Sequence, residues 1–428
     1  MQDAKAMTTV LFGVFVFLVA IGVPISFVLG IASLAAMYFV ADYPMQVVVQ
    51  RMFAGVDSFP LMAIPFFMLA GSLMEKGGIT SRIIGFALSL VGGFRGALAH
   101  VVTIAGVIMG GISGSGVADT AAIGTIMVPE MSKRGYHLPF SAALIAASGS
   151  IGLIIPPSIA MILYGVASGS SIGDLFMAGF LPGVLIAAGF MLISSVIAKK
   201  RNYPTEPPMT GEQRWVSFRE SIWALMMPVI IIVGIRMGVF TPTEGGVVAA
   251  VYAIVIGKFV YKELDWGDFP EILSEATAST AVISFLIATA SLFGWLLASE
   301  QIPQQISDGI LSLSSNKYVI LLMINILLLI VGMFLDSGPA IILLVPVLVP
   351  VAQSLDVNLT QFGLLMVVNL TIGLLTPPVG TALYVASNIS KVPLARLSSA
   401  VMPFIGVMLF VLGLITYVPQ MTLWAIKG

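Results

Sequence analysis

Along its 428 residues the chain alternates long apolar runs with short polar interruptions. The runs fall near 7–23, 25–40, 59–75, 97–112, 117–131, 138–168, 172–198, 221–238, 245–262, 279–298, 319–335, 339–352, 360–387 and 401–418. A helix that crosses a bilayer needs roughly 20 apolar residues. Several runs are too short, and they come in pairs: 97–112 with 117–131, and 319–335 with 339–352. Each pair is joined by a small, turn-rich tip, "GGISGSGVADT" at 110–120 and "FLDSGPA" at 334–340. A short helix, a tight turn and a second short helix predict a re-entrant hairpin that enters and leaves on one side. The runs 138–168 and 360–387 instead carry a proline pair in their middle, Pro156-Pro157 and Pro377-Pro378. Two prolines remove amide donors and clash with the preceding turn, so each run is expected to be a broken helix.

The halves correspond. Gly152, Leu153, Pro156 and Pro157 recur as Gly373, Leu374, Pro377 and Pro378, all at one offset, and Pro129 recurs as Pro350 at that same offset. Ser115-Gly116 recurs as Ser337-Gly338 and Tyr164 as Tyr384, each within one residue of it. An ordered set at near-constant spacing predicts an internal repeat. The first repeat covers 1–198 (hairpin 97–131, broken helix 138–168) and the second 221–428 (hairpin 319–352, broken helix 360–387). The hydrophilic stretch 199–220 joins them as a linker.

Composition fits a polytopic membrane protein. Hydrophobic residues make up 58% and charged residues 9%, and mean hydropathy is +1.07. A soluble chain of this length would expose far more charge. The apolar stretch after the first residues is too long for a cleaved leader and reads as a retained anchor. There is no cysteine and only two histidines, which leaves no thiol chemistry and too few ligands for a metal cluster. The Lys199-Lys200-Arg201 run places the linker in the cytoplasm by the positive-inside rule. With five crossings and one hairpin per half, fourteen of the 19 Lys and Arg fall inside, and Lys5, Arg51, Arg236, Lys317 and Lys427 fall outside. Five is odd, so the second half is inverted, one hairpin opens to each side, and both termini lie outside. This requires 79–93 and 303–315 not to cross. Segments 41–58 and 263–278 are amphipathic and are expected to lie along the interface as braces.

Unwound backbone in hydrocarbon is tolerated where protein buries it or it lines a wet cavity, so 152–158 and 373–379 are both expected at the buried centre. Broken helices expose N–H ends that attract anions and C=O ends that attract cations. Ser113, Ser115, Asp336 and Ser337 suit helix N-caps, Pro339 suits a first helical position, and Gly114, Gly116 and Gly338 allow close backbone approach. Two half-sites follow. One joins tip 113–119 to Gly152, Pro156 and Pro157; the other joins tip 336–338 to Gly373, Thr376, Pro377 and Pro378. Carbonyls with Ser113, Ser115, Gly152, Asp336, Ser337 and Thr376 suit a hard monovalent cation such as Na+. An anionic substrate would face N–H ends and the hydroxyls of Thr376 and Thr381. No other cofactor is expected. Asp119 and Asp336 are acids at membrane depth; Asp336 reads equally as ligand or cap, and Asp119 reads first as the partner of a neighbour. Valine at Gly116 or at Gly338 is expected to abolish uptake while leaving the protein folded, because a side chain there would intrude on the site.

The motifs "GGISGSGVADTAAIG", "GLIIPPS", "DSGPA" and "GLLTPPVG" resemble the large membrane subunit of TRAP (tripartite ATP-independent periplasmic) transporters, over essentially the whole chain. The likeness is greatest to the sialic-acid branch. More distantly the chain resembles sodium-coupled divalent-anion symporters, whose tips carry a Ser-Asn-Thr motif. Here Ser113-Gly114-Ser115 and Asp336-Ser337-Gly338 stand in those places without the Asn-Thr. The resemblance implies Na+-driven uptake of an organic acid, such as sialic acid or a C4-dicarboxylate, across a bacterial inner membrane. It implies an elevator motion of hairpins and broken helices against a scaffold. It also implies two partners, a small four-helix membrane subunit and a periplasmic substrate-binding protein.

Rival readings are weaker. "GISG" at 111–114 and "GSSIG" at 169–173 match serine-hydrolase patterns, but both need a nearby base. No histidine follows His137, and His100 belongs nearer the membrane surface. A channel would line its pore with rings across an oligomer, whereas one chain here holds two inverted halves. Proton coupling through Asp119 or Asp336 is the alternative within transport. Each motif also has a purely structural reading: a proline pair as a kink, a Gly-Ser tip as close packing.

Overall fold

The computed structural model describes residues 2–40, 43–314, 316–424 and 426. Among them all regular structure is helical, apart from one isolated bridge between Arg95 and Thr205. The order begins with α1 (Gln2–Ala20), α2 (Ile25–Phe39), α3 (Gln46–Val56), α4 (Ala63–Lys76) and α5 (Ile79–Val91). It continues with α6 (Ala97–Ser113), α7 (Gly116–Lys133), α8 (Leu138–Ser150), α9 (Ile159–Ser168) and α10 (Ile172–Lys200). The second half holds α11 (Gly211–Arg236), α12 (Pro242–Val255, extended by the π-helical turn Ile256–Val260), α13 (Phe269–Ser299) and α14 (Ile302–Leu313). It ends with α15 (Lys317–Phe334), α16 (Ser337–Ser354), α17 (Leu359–Gly373), α18 (Thr381–Ser390), α19 (Leu394–Tyr417) and α20 (Gln420–Leu423). Eight helices among the described residues are long and apolar enough to cross a bilayer.

Local chemistry accounts for the boundaries. Ser115 caps α7 by accepting from the Ala118 amide, and Asp336 caps α16 by accepting from the Ser337 amide at 2.9 Å. The other two expected caps lie elsewhere: Ser113 closes α6, and Ser337 opens α16. Pro339 is the third residue of α16, not the first, because the cap falls on Asp336 rather than on Gly338. Ser158 caps α9 through the Met161 amide at 3.3 Å. Both breaks are present. α8 tightens into a 3-10 turn at Ile151–Leu153 and helix resumes at Ile159; α17 stops at Gly373 and helix resumes at Thr381. The Pro156-Pro157 and Pro377-Pro378 peptides are both cis.

α5 and α14 span 13 and 12 residues, about 20 Å of helix, short of the ~30 Å hydrocarbon core. α15 and α16 have 18 residues each, so length alone does not separate a hairpin from two crossings. The brace expected at 263–278 is not a separate element. A 3-10 turn at Trp266–Asp268 leads into α13, which runs unbroken to Ser299 and packs on α2, α3 and α4. After Pro270 nothing in "EILSEATASTAV" interrupts the helix, whereas in the first half Asp57-Ser58 separates α3 from the turn that leads into α4. The extended linker is also shorter than 199–220. α10 runs through Lys200, and α11 starts at Gly211 behind a capping box of Thr210 and Gln213.

The extended linker folds back onto the molecule. The Gly96 amide donates to Pro204 O at 3.0 Å, and Tyr203 packs on Tyr136, ring centroids 4.5 Å apart. Arg134 pairs with Glu206 at 2.7 Å. With Lys76–Glu271, Arg82–Glu263, Arg134–Glu130 and Lys258–Asp265, this joins charges that the sequence assigns to the cytoplasmic side. The assignments of Lys5 and Lys427 lie outside the described side chains. Arg134→Ala is expected to lower stability by about 1 kcal/mol: Glu206 is left buried without its partner, and the half-exposed guanidinium limits the loss. A urea or thermal melt of the detergent-purified protein checks it.

The broken helices form the core. Every residue from Phe140 to Ala160 is buried, as is every residue from Thr360 to Leu375. A helix that is apolar around its whole circumference belongs inside. Three side-chain amides tie α15, α17 and α19 together there. Asn369 donates to Asn325 at 2.7 Å, Asn325 to Thr416 at 2.9 Å, and Gln361 to Ile415 O at 2.9 Å.

Candidate ion and substrate site

The first tip and the first break are built against each other by missing side chains. The Ile159 amide donates to Gly114 O at 3.3 Å. Gly114 has φ +63, and a Cβ there would sit 2.7 Å from Pro157 O. A Cβ on Gly110 would lie 2.5 Å from Gly152 Cα, and one on Gly116 would lie 2.9 Å from Ser150 Cα. Ser158 braces the break, donating to Leu153 O at 2.6 Å. Gly179 and Gly183 of α10 cover Ile154 and Ile155. Gly110→Ala is therefore expected to destabilise the protein by ~1–3 kcal/mol through overpacking against backbone that cannot retreat, read as a lower melting midpoint.

Asp119 pairs with a neighbour, as the sequence suggests, and keeps one oxygen to spare. It is 0% exposed. Its Oδ1 accepts from Ser113 Oγ at 2.6 Å, and Ser113 Oγ accepts from the Ser115 amide at 3.1 Å. Pairing with a neighbour is thus half of its story. Asp119 Oδ2 is buried with no hydrogen-bond partner among the described residues, and it points at Gly152, where a Cβ would collide with it. The signal was an acid one turn into α7, at membrane depth. Asp119 also lines a smaller cavity of ≈ 100 Å³ with Glu75 of α4 and Glu275 of α13.

The second half-site differs. Contact between hairpin and break is made behind the tip: the Val379 amide donates to Met333 O at 3.1 Å, and Gly332 packs on Gly373. The tip residues 336–338 do not meet 376–378. A Cβ on Gly338 would touch Leu163 of α9 at an ordinary 3.5 Å, so the second tip turns toward the first half. The second break is also not buried throughout. Thr376 and Pro377 are half-buried, and Pro378 and Val379 are exposed, whereas their counterparts Pro157 and Ser158 lie against Gly114 of the first tip. Thr376 Oγ1 donates to Ile372 O at 2.8 Å. Thr381 Oγ1 is buried without a hydrogen-bond partner among the described residues.

Between the two tips lies a cavity of ≈ 250 Å³. Gly114, Ser115 and Gly116 line one side and Asp336, Ser337 and Gly338 the other. Leu153 and Leu374 at the breaks, and Met68 and Ile283 of α4 and α13, complete its wall. Of the residues singled out in the sequence, the structure gathers 113–116 with Gly152, Pro156 and Pro157, and faces them with 336–338. Gly373 and Thr376 sit behind, and Pro378 stands apart at the surface.

The model of the family described as the tripartite ATP-independent periplasmic transporter, DctM component, matches residues 12–421. The chain belongs to this family. It is a TRAP large permease, a multi-pass membrane transporter rather than an enzyme. It is 42% identical over 402 residues to the sialic acid TRAP transporter large permease SiaM of Vibrio cholerae, covering 94% of both chains. It is 38% identical to the C4-dicarboxylate large permease DctM of Rhodobacter capsulatus, covering 97% of both. Among solved structures, the MtrF transporter of Neisseria gonorrhoeae superposes with a TM-score of 0.66 at 12% identity, over 99% of this chain and 98% of that one. That likeness is one of fold. The TRAP permease therefore keeps the helix plan of a transporter with which it shares little sequence.

Proposed function

We propose that this permease carries a small organic acid inward, driven by Na+, with both bound where the tips face each other. The observation that carries the reading is the ≈ 250 Å³ cavity between two serine- and glycine-lined tips, beside a buried carboxylate oxygen that lacks a partner. Ser113, Ser115 and Gly152 with Asp119 supply hard oxygens for one cation, and Asp336 and Ser337 supply them for a second, with Thr376 set behind the cavity and outside that ligand set. An orphaned carboxylate oxygen at that depth is costly until a cation reaches it. The amide ends of α7 and α16 and the hydroxyl of Thr381 are donors for a substrate carboxylate. Relatives named for sialic acid and for C4-dicarboxylate support an organic acid.

The recurring order α6 to α10 and α15 to α19 supports two inverted repeats, each with a re-entrant hairpin. In this reading the hairpins and broken helices move as one body against α4 and α13. The family's tripartite character supports a small four-helix membrane subunit and a periplasmic binding protein as partners. The membrane is then the bacterial inner membrane, with both termini periplasmic. Proton coupling is the second reading, favoured by the burial of Asp119.

The test is uptake into proteoliposomes containing the chain and its partner subunits, with a panel of carboxylates. A Na+ gradient is expected to drive saturable accumulation of one class of acid in the absence of a pH gradient. Accumulation driven by a pH gradient alone in Na+-free buffer would reverse the coupling assignment. Unsaturable flux would make the protein a channel.

A further inference from the structure

Far from the tips, a polar cavity of ≈ 540 Å³ opens between the start of α5, the start of α11 and the π-helical end of α12. Its depth in the membrane follows from helix length. α11 has 26 residues, about 39 Å, so it overruns a ~30 Å hydrocarbon core. Its first turns, carrying Trp215, exposed by 65%, stand at headgroup level, where tryptophan concentrates.

The corner is tightly constructed. The π turn carries Tyr261 across to α11, where its hydroxyl accepts from the Ala224 amide at 3.1 Å and donates to Glu220 O at 3.0 Å. Arg82 stacks on the Tyr261 ring at 3.8 Å, pairs with Glu263 at 2.7 Å and donates to Gly78 O at 2.8 Å. That ion pair is internally neutral. The charges left facing the cavity are Arg219 and Glu220, both exposed, with the hydroxyls of Ser81 and Ser217 beside them. One cation and one anion side by side match a zwitterion, not a simple anion. Apolar ridges leave the cavity along both helices: Trp223, Met226, Val229 and Val233 on α11, and Phe259 and Val255 on α12, all exposed. These spacings put each set on one helix face.

We propose that this cavity holds the headgroup of a phospholipid bearing a primary ammonium, of the phosphatidylethanolamine class. The phosphate lies against Arg219 and Ser217, the ammonium donates to Glu220, and the acyl chains follow the two ridges. A free zwitterion of the same chemistry would leave the ridges unused, which is why a lipid is the occupant.

The test equilibrates the purified full chain in micelles with equal amounts of phosphatidylethanolamine, phosphatidylcholine and phosphatidylglycerol, and counts retained lipid by native mass spectrometry. Ethanolamine lipid is expected to be retained about fivefold over the glycerol lipid, the scale of one exposed ion pair. Arg219→Ala lowers the retention of all three lipids, because they share the phosphate it holds. Glu220→Gln turns the excess toward phosphatidylglycerol, because a lone guanidinium remains. Arg214→Ala, outside the cavity, leaves it unchanged. Retention in the mixing ratio, or a wild-type excess of either other lipid, or retention indifferent to Arg219, or an excess indifferent to Glu220 overturns the proposal. Displacement of the lipid by an equal concentration of water-soluble phosphoethanolamine overturns its membrane origin. All three substituted side chains are exposed, so folding does not confound the result.

Discussion

Asp119→Asn is expected to raise the Na+ concentration for half-maximal uptake by about 10²-fold, with the protein still folded. The substitution keeps shape and keeps an acceptor for Ser113 Oγ, which now bonds Asp119 Oδ1 at 2.6 Å. It replaces the oxygen that has no partner with an amide NH2, removing both the charge and a cation ligand. A charged acceptor at a desolvated site is worth up to about 3 kcal/mol, or ~10²-fold in affinity. Ser113→Ala removes the bond that aims the carboxylate and is expected to act in the same direction, more weakly. Uptake in proteoliposomes over a Na+ titration, beside a melting curve for each variant, checks both. Unchanged Na+ dependence in Asp119→Asn would make this acid a packing residue.

The second large effect is an inequality between two glycines that the sequence treats as equivalent. Gly116→Ala is expected to cut uptake at least tenfold, whereas Gly338→Ala retains most of it. A Cβ on Gly116 meets backbone, Ser150 Cα, at 2.9 Å, with Gly149 O at 3.5 Å. Backbone at the core of the first half-site has nowhere to go, and overpacking there costs ~1–3 kcal/mol, roughly tenfold or more in the population of the competent geometry. A Cβ on Gly338 meets one mobile methyl, Leu163 Cδ1, at a normal 3.5 Å. Initial uptake rates of the two variants at matched protein density decide the matter. Equal loss in both would restore the symmetric picture of the tips.

What could be read from the sequence was what one chain segment decides by itself. Proline pairs break helices wherever they stand, so the ends of α8 and α17 were legible, and serine or aspartate before an apolar run marked the caps Ser115 and Asp336. Glycine spacing marked the tips. What could not be read depended on a third element. The cover that Gly114 of the first tip gives Pro157 and Ser158, missing over Pro378, makes the breaks unequal, and nothing in "GLLTPPVG" reveals an absent neighbour. The turn of Asp336 and Gly338 toward α9 is likewise a matter of helix packing between halves. Asp119 was underrated because the sequence shows an acid beside serines but not that one of its oxygens is left over. The merging of 269–278 into α13 was missed because its charges at each end look the same on a surface brace as on the entry of a long span.

The account rests on the first tip and its facing break holding a cation through Asp119. The most direct measurement is equilibrium binding of radioactive 22Na+ to the purified permease in detergent, without substrate, for wild type and Asp119→Asn. The account predicts saturable binding by the wild type that weakens at least tenfold in the variant. Saturable binding of equal strength in both, or none in the folded wild type, would contradict it.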